Sequence, residues 1–107
     1  MSRAATRVFA LAAALGALFA LAAPAGASEA LAEKHACLNC HELNKKMVGP
    51  AFNAVAQRYR GQVDAQVLLT KKIAEGSSGV WGPVPMPPMP QVPEPDRHRL
   101  AAWLLGL

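Results

Sequence analysis

The sequence predicts an all-α fold, with about four main helices after residue 27. Three observations lead to this prediction. Apolar residues recur at the spacing of a helical face in several segments. Glycines and prolines that end or begin helices separate those segments. No segment alternates apolar and polar residues for long enough to form a strand.

The first 27 residues have the composition of a secretory signal peptide. Arg3 and Arg7 precede sixteen uncharged, mostly apolar residues (8–23), and Pro24 and small residues ending at Ala27 follow them. Sixteen residues are slightly short for a membrane span, which needs about 20. We therefore expect cleavage after Ala27, with a leader over residues 1–27 and one domain over 28–107. The exported product should have no stable membrane insertion.

The first two predicted helices flank the cysteines. One extends from Ser28, its N-cap, to Cys37. The second extends over 50–60, where Gly61 can end it, and the face that predicts it consists of Phe52, Val55, Ala56 and Tyr59.

Two more helices are predicted in the second half of the domain. Asp64 should cap the third and Gly76 should end it, with Val67, Leu68 and Ile73 turned toward a bound group. The fourth covers 95–105 and begins with a proline in its first turn. Its apolar face consists of Leu100, Trp103 and Leu104.

Size and charge limit the functional classes. The chain of 107 residues has a net charge of +4, which falls to +2 once Arg3 and Arg7 are removed. No basic run exceeds two residues, so nucleic-acid binding is not predicted. A body of about 80 residues buries only about 60–65% of its unfolded surface. We therefore expect a disulfide, a metal or a cofactor to stabilise it.

The only two cysteines lie in the segment Cys37-Leu38-Asn39-Cys40-His41. A disulfide there would close a very short loop and constrain the unfolded chain little. A dithiol oxidoreductase places C-x-x-C at the start of a helix in a βαβ pattern, which this sequence lacks. Zinc needs four ligands, and the other two histidines, His35 and His98, do not have a zinc-site spacing.

The spacing C-x-x-C-H instead indicates covalent attachment of haem. Two thiols three residues apart can each add to one vinyl group of the porphyrin, and the next residue can then offer its imidazole to the iron from the same side. The sequence therefore predicts one covalent haem c, attached through Cys37 and Cys40, with His41 as a ligand of its iron. A largely apolar cofactor would also supply the stabilisation that the small domain needs.

A sixth iron ligand would decide between catalysis at the metal and electron transfer. Met47 follows the attachment motif closely, so we interpret it as a packing residue. His35 cannot easily reach around the ring, and His98 lies in a charged, solvated turn. Met86 and Met89 remain as candidates.

These two methionines lie in a proline-rich segment, in which seven of the thirteen residues from 83 to 95 are proline. Such a segment forms no helix. Because predicted helices precede and follow it, we expect it to hold a thioether ligand at a fixed position with little entropy left to lose. The residues alone leave Met86 and Met89 both open.

Three segments, residues 37–41, 46–52 and 76–88, resemble those of the small bacterial class I cytochromes c of the c-551/c-552 type. The likeness covers nearly all of residues 30–107. It implies a cytochrome c fold of about four helices around one covalent haem, held by Cys37 and Cys40. It further implies that His41 and Met86 are the axial ligands and that the protein is a periplasmic electron carrier, not an enzyme.

The resemblance also implies two further contacts to the haem. Trp81 matches a tryptophan whose indole N–H reaches a haem propionate, and Lys72 matches a basic position near the propionates. One departure concerns Met89, where relatives often carry a polar residue near the ligand sulfur. Met89 cannot donate such a hydrogen bond and is itself an alternative ligand. A second departure is that the segment leading to Trp103 is about one residue longer than in the family pattern.

The expected function follows from a haem iron with no open coordination position. The expected partners are redox proteins of the periplasm or the inner-membrane respiratory chain, including terminal reductases or oxidases, and we expect a monomer. Four lysines could steer such partners or be plain solvated residues: Lys45, Lys46, Lys71 and Lys72. The alternatives are a haem enzyme or ligand sensor with a labile Met86, and a dithiol oxidoreductase without haem.

Overall fold

The computed structural model describes residues 27–107. Its helices are α1 (Ala27–Lys34), α2 (Phe52–Tyr59), α3 (Ala65–Glu75) and α4 (Glu94–Leu105), with a short 3-10 turn at Cys37–Asn39. Within the described range, extended pairing is limited to one isolated antiparallel bridge between Ser77 and Met86. The all-α prediction is confirmed. The predicted leader, apart from Ala27, lies outside the described residues.

The first two helices are shorter than their periodicity predicted. Ser28 lies inside α1, so its predicted N-cap role is wrong. The predicted end of this helix at Cys37 is also wrong: α1 ends at Lys34, and Ala36 then takes a left-handed conformation with φ 60° that starts the 3-10 turn. α2 is trimmed at both ends because Ala51 and Arg60 are extended, with ψ of 142° and 133°.

The predicted bounds of α3 are confirmed, but the predicted capping by Asp64 and the predicted inward direction of Val67 are wrong. Asp64 precedes the helix without a capping hydrogen bond from its side chain, and Gly76 ends it with φ 74°. Val67, expected to turn inward, is 68% exposed, whereas Leu69 is buried. The buried positions 65, 69 and 73 lie one helical turn apart, so Val67 falls on the outer face.

Helix α4 organises the packing, because it contacts α1, α2 and α3. The edge of Trp103 on α4 meets Phe52 on α2, with ring centroids 5.4 Å apart. Val92, just before α4, is completely buried. The remaining buried members of the core come from all four helices: Ala32, Val55, Tyr59, Ala65, Leu69, Ile73, Leu100, Ala101 and Leu104.

A polar contact joins the segment after the first helix to the start of the last helix. The Nε2 atom of His35, just after α1, lies 2.9 Å from Oδ2 of Asp96 in the first turn of α4. Both side chains are largely buried, at 11% and 15% exposure. This pair therefore fixes the segment that leads into the cysteine motif against α4.

Within residues 27–107, no helix has both the length and the apolar character needed to cross a bilayer.

We predict that Asp96→Ala lowers the free energy of unfolding by about 2 kcal/mol, because it leaves the largely buried His35 without its charged partner. Glu94→Ala is the matched control: it removes an acid from the same first turn, but Glu94 pairs with His98 at the exposed surface. That variant should lose less than about 1 kcal/mol. Guanidinium denaturation of the holoprotein measures both, and equal losses would contradict a special role for the His35–Asp96 pair.

Candidate cofactor site

A cavity of about 450 Å³ lies at the centre of the fold. Its volume is within the range of about 300–1,000 Å³ typical of small-molecule and cofactor sites. Its lining comes from the cysteine motif, the following loop, α2, α3, the proline-rich segment and α4. The structure brings all six predicted site residues to this cavity: Cys37, Cys40, His41, Lys72, Trp81 and Met86.

The walls of the cavity are predominantly apolar. They are built by the inward faces that periodicity predicted on α2 and α4, and by Leu69 and Ile73 of α3. Leu69 was not predicted to face the bound group, although it continues the spacing of Ala65 and Ile73 along the helix. The prediction for Leu68 is wrong, because Leu68 packs against the core and does not line the cavity. A flat apolar group would find contacts on several sides here, with few polar atoms to desolvate.

The His41 imidazole is held in one orientation by two neighbours. Its Nδ1 atom lies 2.7 Å from the carbonyl oxygen of Pro50. Phe52 stacks on the ring, with centroids 5.0 Å apart and planes 17° from parallel. A carbonyl only accepts hydrogen bonds, so Nδ1 carries a proton, and in the neutral imidazole the lone pair is then on Nε2. This is the arrangement typical of a metal-binding histidine.

Gly49 leaves room for that imidazole. A Cβ atom built at Gly49 would lie 2.5 Å from Cε1 of His41, closer than real Cβ contacts come. The loop after the cysteine motif therefore passes so close to His41 that only glycine fits.

The two cysteines lie on a tight turn. The amides of Cys40 and His41 both donate to the carbonyl of Cys37, at 3.2 and 3.0 Å. Both cysteines line the cavity, and no disulfide joins them in the described chain. Before haem is attached, burial raises the pKa of the Cys37 thiol.

Met86 is held by backbone contacts to the end of α3. Its amide donates to the Ser77 carbonyl at 2.8 Å, and its carbonyl accepts from the Ser77 amide at 3.1 Å. At Gly76, with φ 74°, an added Cβ would lie 2.4 Å from the Met86 carbonyl oxygen. Since this neighbour is backbone, it cannot easily move aside. Gly76 thus allows the chain to approach Met86 closely.

The other candidate ligands lie elsewhere. Met89 packs against the hydrophobic core, with its amide donating to the Ile73 carbonyl at 3.1 Å, and it does not line the cavity. Met47 is 44% exposed, so the prediction that it packs is wrong. His35 pairs with Asp96. The exposed His98 has its Nε2 atom 3.5 Å from Oε1 of Glu94. In the described part of the chain, no three His, Cys, Asp or Glu side chains cluster as a metal site.

These features fit a covalently attached haem. Two thiols and an imidazole with a free Nε2 reach one apolar cavity, and a thioether-bearing residue lines the same space. Cys37, Cys40, His41 and Met86 are the residues that would hold the group, which would supply a one-electron iron couple there.

One residue that sequence reasoning missed is Arg58. It lies on α2 and contacts Val80 and Trp81 in the loop before Met86. The helical pattern places Arg58 on a polar face, and nothing in the sequence indicates the long-range contact.

We predict that Gly76→Ala destabilises the holoprotein more than Gly79→Ala does. Both glycines have positive φ, 74° and 76°, so each alanine should cost about 1–2 kcal/mol for its backbone conformation. Only Gly76 faces a neighbour, because a Cβ at Gly79 meets nothing within 4 Å. The clash should add about 1–3 kcal/mol at Gly76. Denaturant unfolding measures both, and equal losses would contradict the close approach to Met86.

Comparison with known proteins agrees with this geometry. A family model described as cytochrome c matches residues 26–107. The cytochrome c-552 of Hydrogenobacter thermophilus is 47% identical over 79 residues, which cover 74% of this chain and 80% of the relative. The cytochrome c-551 of Pseudomonas aeruginosa is 44% identical over 93 residues, covering 87% of this chain and 88% of the relative.

A solved structure shows the same fold. The crystal structure of wild-type Nitrosomonas europaea cytochrome c552 superposes with a TM-score of 0.73 at 46% identity, covering 74% of this chain and 98% of that one. The chain is therefore a member of the class I cytochrome c family of electron carriers, with the cytochrome c fold and covalently bound haem c.

Proposed function

We propose that this protein is a periplasmic one-electron carrier whose haem iron is bound by His41 and Met86. The observation that carries the proposal is that a histidine with a free Nε2 and a methionine fixed by backbone hydrogen bonds line one cavity. With both axial positions taken by the protein, no reactant reaches the metal. The function is then electron transfer, not catalysis.

The roles of the individual residues follow from their chemistry. The thiols of Cys37 and Cys40 form the two thioether links. The Pro50 carbonyl orients His41 and makes its imidazole a stronger electron-pair donor to a metal. Met86 offers a soft thioether, which favours the ferrous state and raises the reduction potential.

Rigid packing serves electron transfer because the two oxidation states then need little rearrangement of the protein. Phe52 and Gly49 confine the His41 ring. The Ser77–Met86 bridge and the surrounding prolines confine the other ligand segment. Around a bound haem, these apolar walls would keep water away from the centre of the site.

Trp81 and Lys72 are assigned to the haem propionates. Both are partly buried residues that line the cavity. The indole N–H is a donor and the lysine ammonium is a cation, so each suits an anionic carboxylate.

Export follows from the composition of residues 1–27, with Arg3 and Arg7 before an uncharged apolar stretch and small residues up to Ala27. We infer cleavage after Ala27 and release of residues 28–107 into the periplasm as a monomer. Haem attachment on two reduced thiols would follow export.

The proposed partners are redox proteins of the periplasm and of the inner-membrane respiratory chain, among them terminal reductases or oxidases. Val48 and Val84, each 58% exposed, line the same cavity as the lysines Lys46 and Lys72. An apolar patch with cations suits brief docking of an acidic partner over a small interface. Lys71 is less suited to steering a partner. Its Nζ atom lies 3.9 Å from Oε2 of Glu75, and it lines a separate groove between α3 and α4.

We predict that Met86→Ala abolishes the weak far-red absorption band of methionine-bound ferric haem, because it removes the sulfur ligand. Met89→Ala is the matched control: it removes the same thioether three residues away, in a side chain that packs in the core. That variant should keep the band while losing about 2–3 kcal/mol of unfolding free energy. The visible spectrum of each purified ferric variant gives the answer, and the opposite pattern would assign the ligand to Met89.

We also predict that oxidation of the ferrous protein by hexacyanoferrate(III), an anionic one-electron oxidant, slows by about two- to threefold as ionic strength rises from low to physiological. Lys46→Gln should weaken this salt dependence because Lys46 lies at the cavity. Lys71→Gln, with the same charge change beside Glu75, should leave it nearly unchanged. Stopped-flow rates measure all three proteins. Equal effects of the two substitutions would remove the proposed role of Lys46.

A further inference from the structure

Arg58 joins α2 to the loop that carries Trp81 through two contacts. Its Nη1 atom donates a hydrogen bond to the carbonyl oxygen of Val80 at 2.9 Å. Its guanidinium carbon lies 4.6 Å from the centroid of the Trp81 ring. One exposed side chain therefore contacts two successive residues of the loop. The first of them, Val80, lies twenty-two positions after Arg58 in the chain.

The loop has few other restraints. In the described part of the chain, residues 78–85 form no backbone–backbone hydrogen bond outside helices, whereas Ser77 and Met86 at its two ends bond to each other. Gly79 and Gly82 both have positive φ, and a Cβ at either would meet nothing within 4 Å. The contacts from Arg58 thus act on a segment that its own backbone holds weakly.

An arginine suits these two contacts better than a lysine does. The guanidinium is planar, so it can lie over an aromatic ring while an N–H in its plane bonds to a carbonyl. A lysine ammonium is a compact charge that can make either contact but does not combine them in one rigid plane. Arg58→Lys therefore keeps the positive charge at this position and removes the planar guanidinium.

We propose that Arg58 is a positioning residue for the haem: it holds Trp81 at the cavity wall so that the indole N–H stays available to a haem propionate. The inference rests on the proposed function, which assigns that contact to Trp81. Arg58 acts through Trp81, because Arg58 itself does not line the cavity whereas Trp81 does.

The expected effect has a definite sign. A propionate is an anion near the iron, and negative charge there favours the ferric state. The indole N–H stabilises that anion and weakens its effect on the iron. Loss of the hydrogen bond should therefore lower the equilibrium constant for reduction. Because Arg58 is exposed, we expect a change of about two- to fivefold.

The test compares Arg58→Gln, Arg58→Lys and Arg60→Gln in the haem-loaded protein at neutral pH. Arg60 is the matched control: it follows α2 directly, and its guanidinium bonds to the Leu107 carbonyl at 2.9 Å. Arg60→Gln removes the same charge without touching the loop. The reduction equilibrium is measured by spectroelectrochemical titration. Solvent exchange of the Trp81 indole N–H is measured by NMR of the diamagnetic ferrous form.

We expect Arg58→Gln to lower the equilibrium constant for reduction by about two- to fivefold and to speed indole exchange. Arg58→Lys should recover less than half of the change, and Arg60→Gln should match the wild type. In a Trp81→Phe background, which has no indole N–H, Arg58→Gln should have little further effect. A similar loss in that background, equal effects of Arg58→Gln and Arg60→Gln, or full recovery by lysine would overturn the inference.

Failure of the inference differs from failure of the proposed function. If the wild-type protein has no reversible one-electron couple or no methionine-bound ferric haem, the proposed function is wrong. If the wild type has both and Arg58→Gln leaves the couple and the indole exchange unchanged, only the role of Arg58 is wrong.

Discussion

The packing of this protein depends on a cavity of about 450 Å³ at the place where a small domain would otherwise have its densest core. Phe52, Leu69, Ile73 and Leu104 are buried in the folded chain, yet they also border this space. A domain of about 80 residues buries too little surface to be robust on its own side chains. Haem c therefore acts as the centre of the core as well as the redox group, so stability and function depend on the same contacts.

Two close backbone approaches position the residues at that centre. Gly49 brings the loop after the cysteine motif against the His41 ring, and Gly76 brings the end of α3 against the backbone of Met86. At each place a Cβ would come within 2.5 Å of its neighbour. Short loops, not long helices, thus present the two proposed axial ligands. The helices supply the apolar walls and the frame to which those loops are attached.

The fold class and the haem-attachment motif could be predicted because their signals are local, whereas the choice of Met86, Trp81 and Lys72 rested on the resemblance to a known family. The spacing of Cys37, Cys40 and His41 indicates haem attachment by itself, and helical periodicity identified the apolar faces of α2 and α4. The errors arose where tertiary geometry decides: Ala36 ends α1 by adopting a left-handed conformation, which is uncommon for alanine. Val67 points outward because Ala65, Leu69 and Ile73 define the buried face of α3. The contacts of Arg58 join distant segments, so no local pattern contains them.

The central claim is that side chains of this chain occupy both axial positions of the iron, so that the protein passes electrons without binding a reactant. Carbon monoxide tests it directly, because it binds ferrous haem only where an axial position is open or easily opened. We predict that the visible spectrum of the purified native ferrous protein at neutral pH does not change when the solution is saturated with carbon monoxide. A prompt shift to the spectrum of a carbon monoxide complex would contradict the account and indicate a ligand-binding haem.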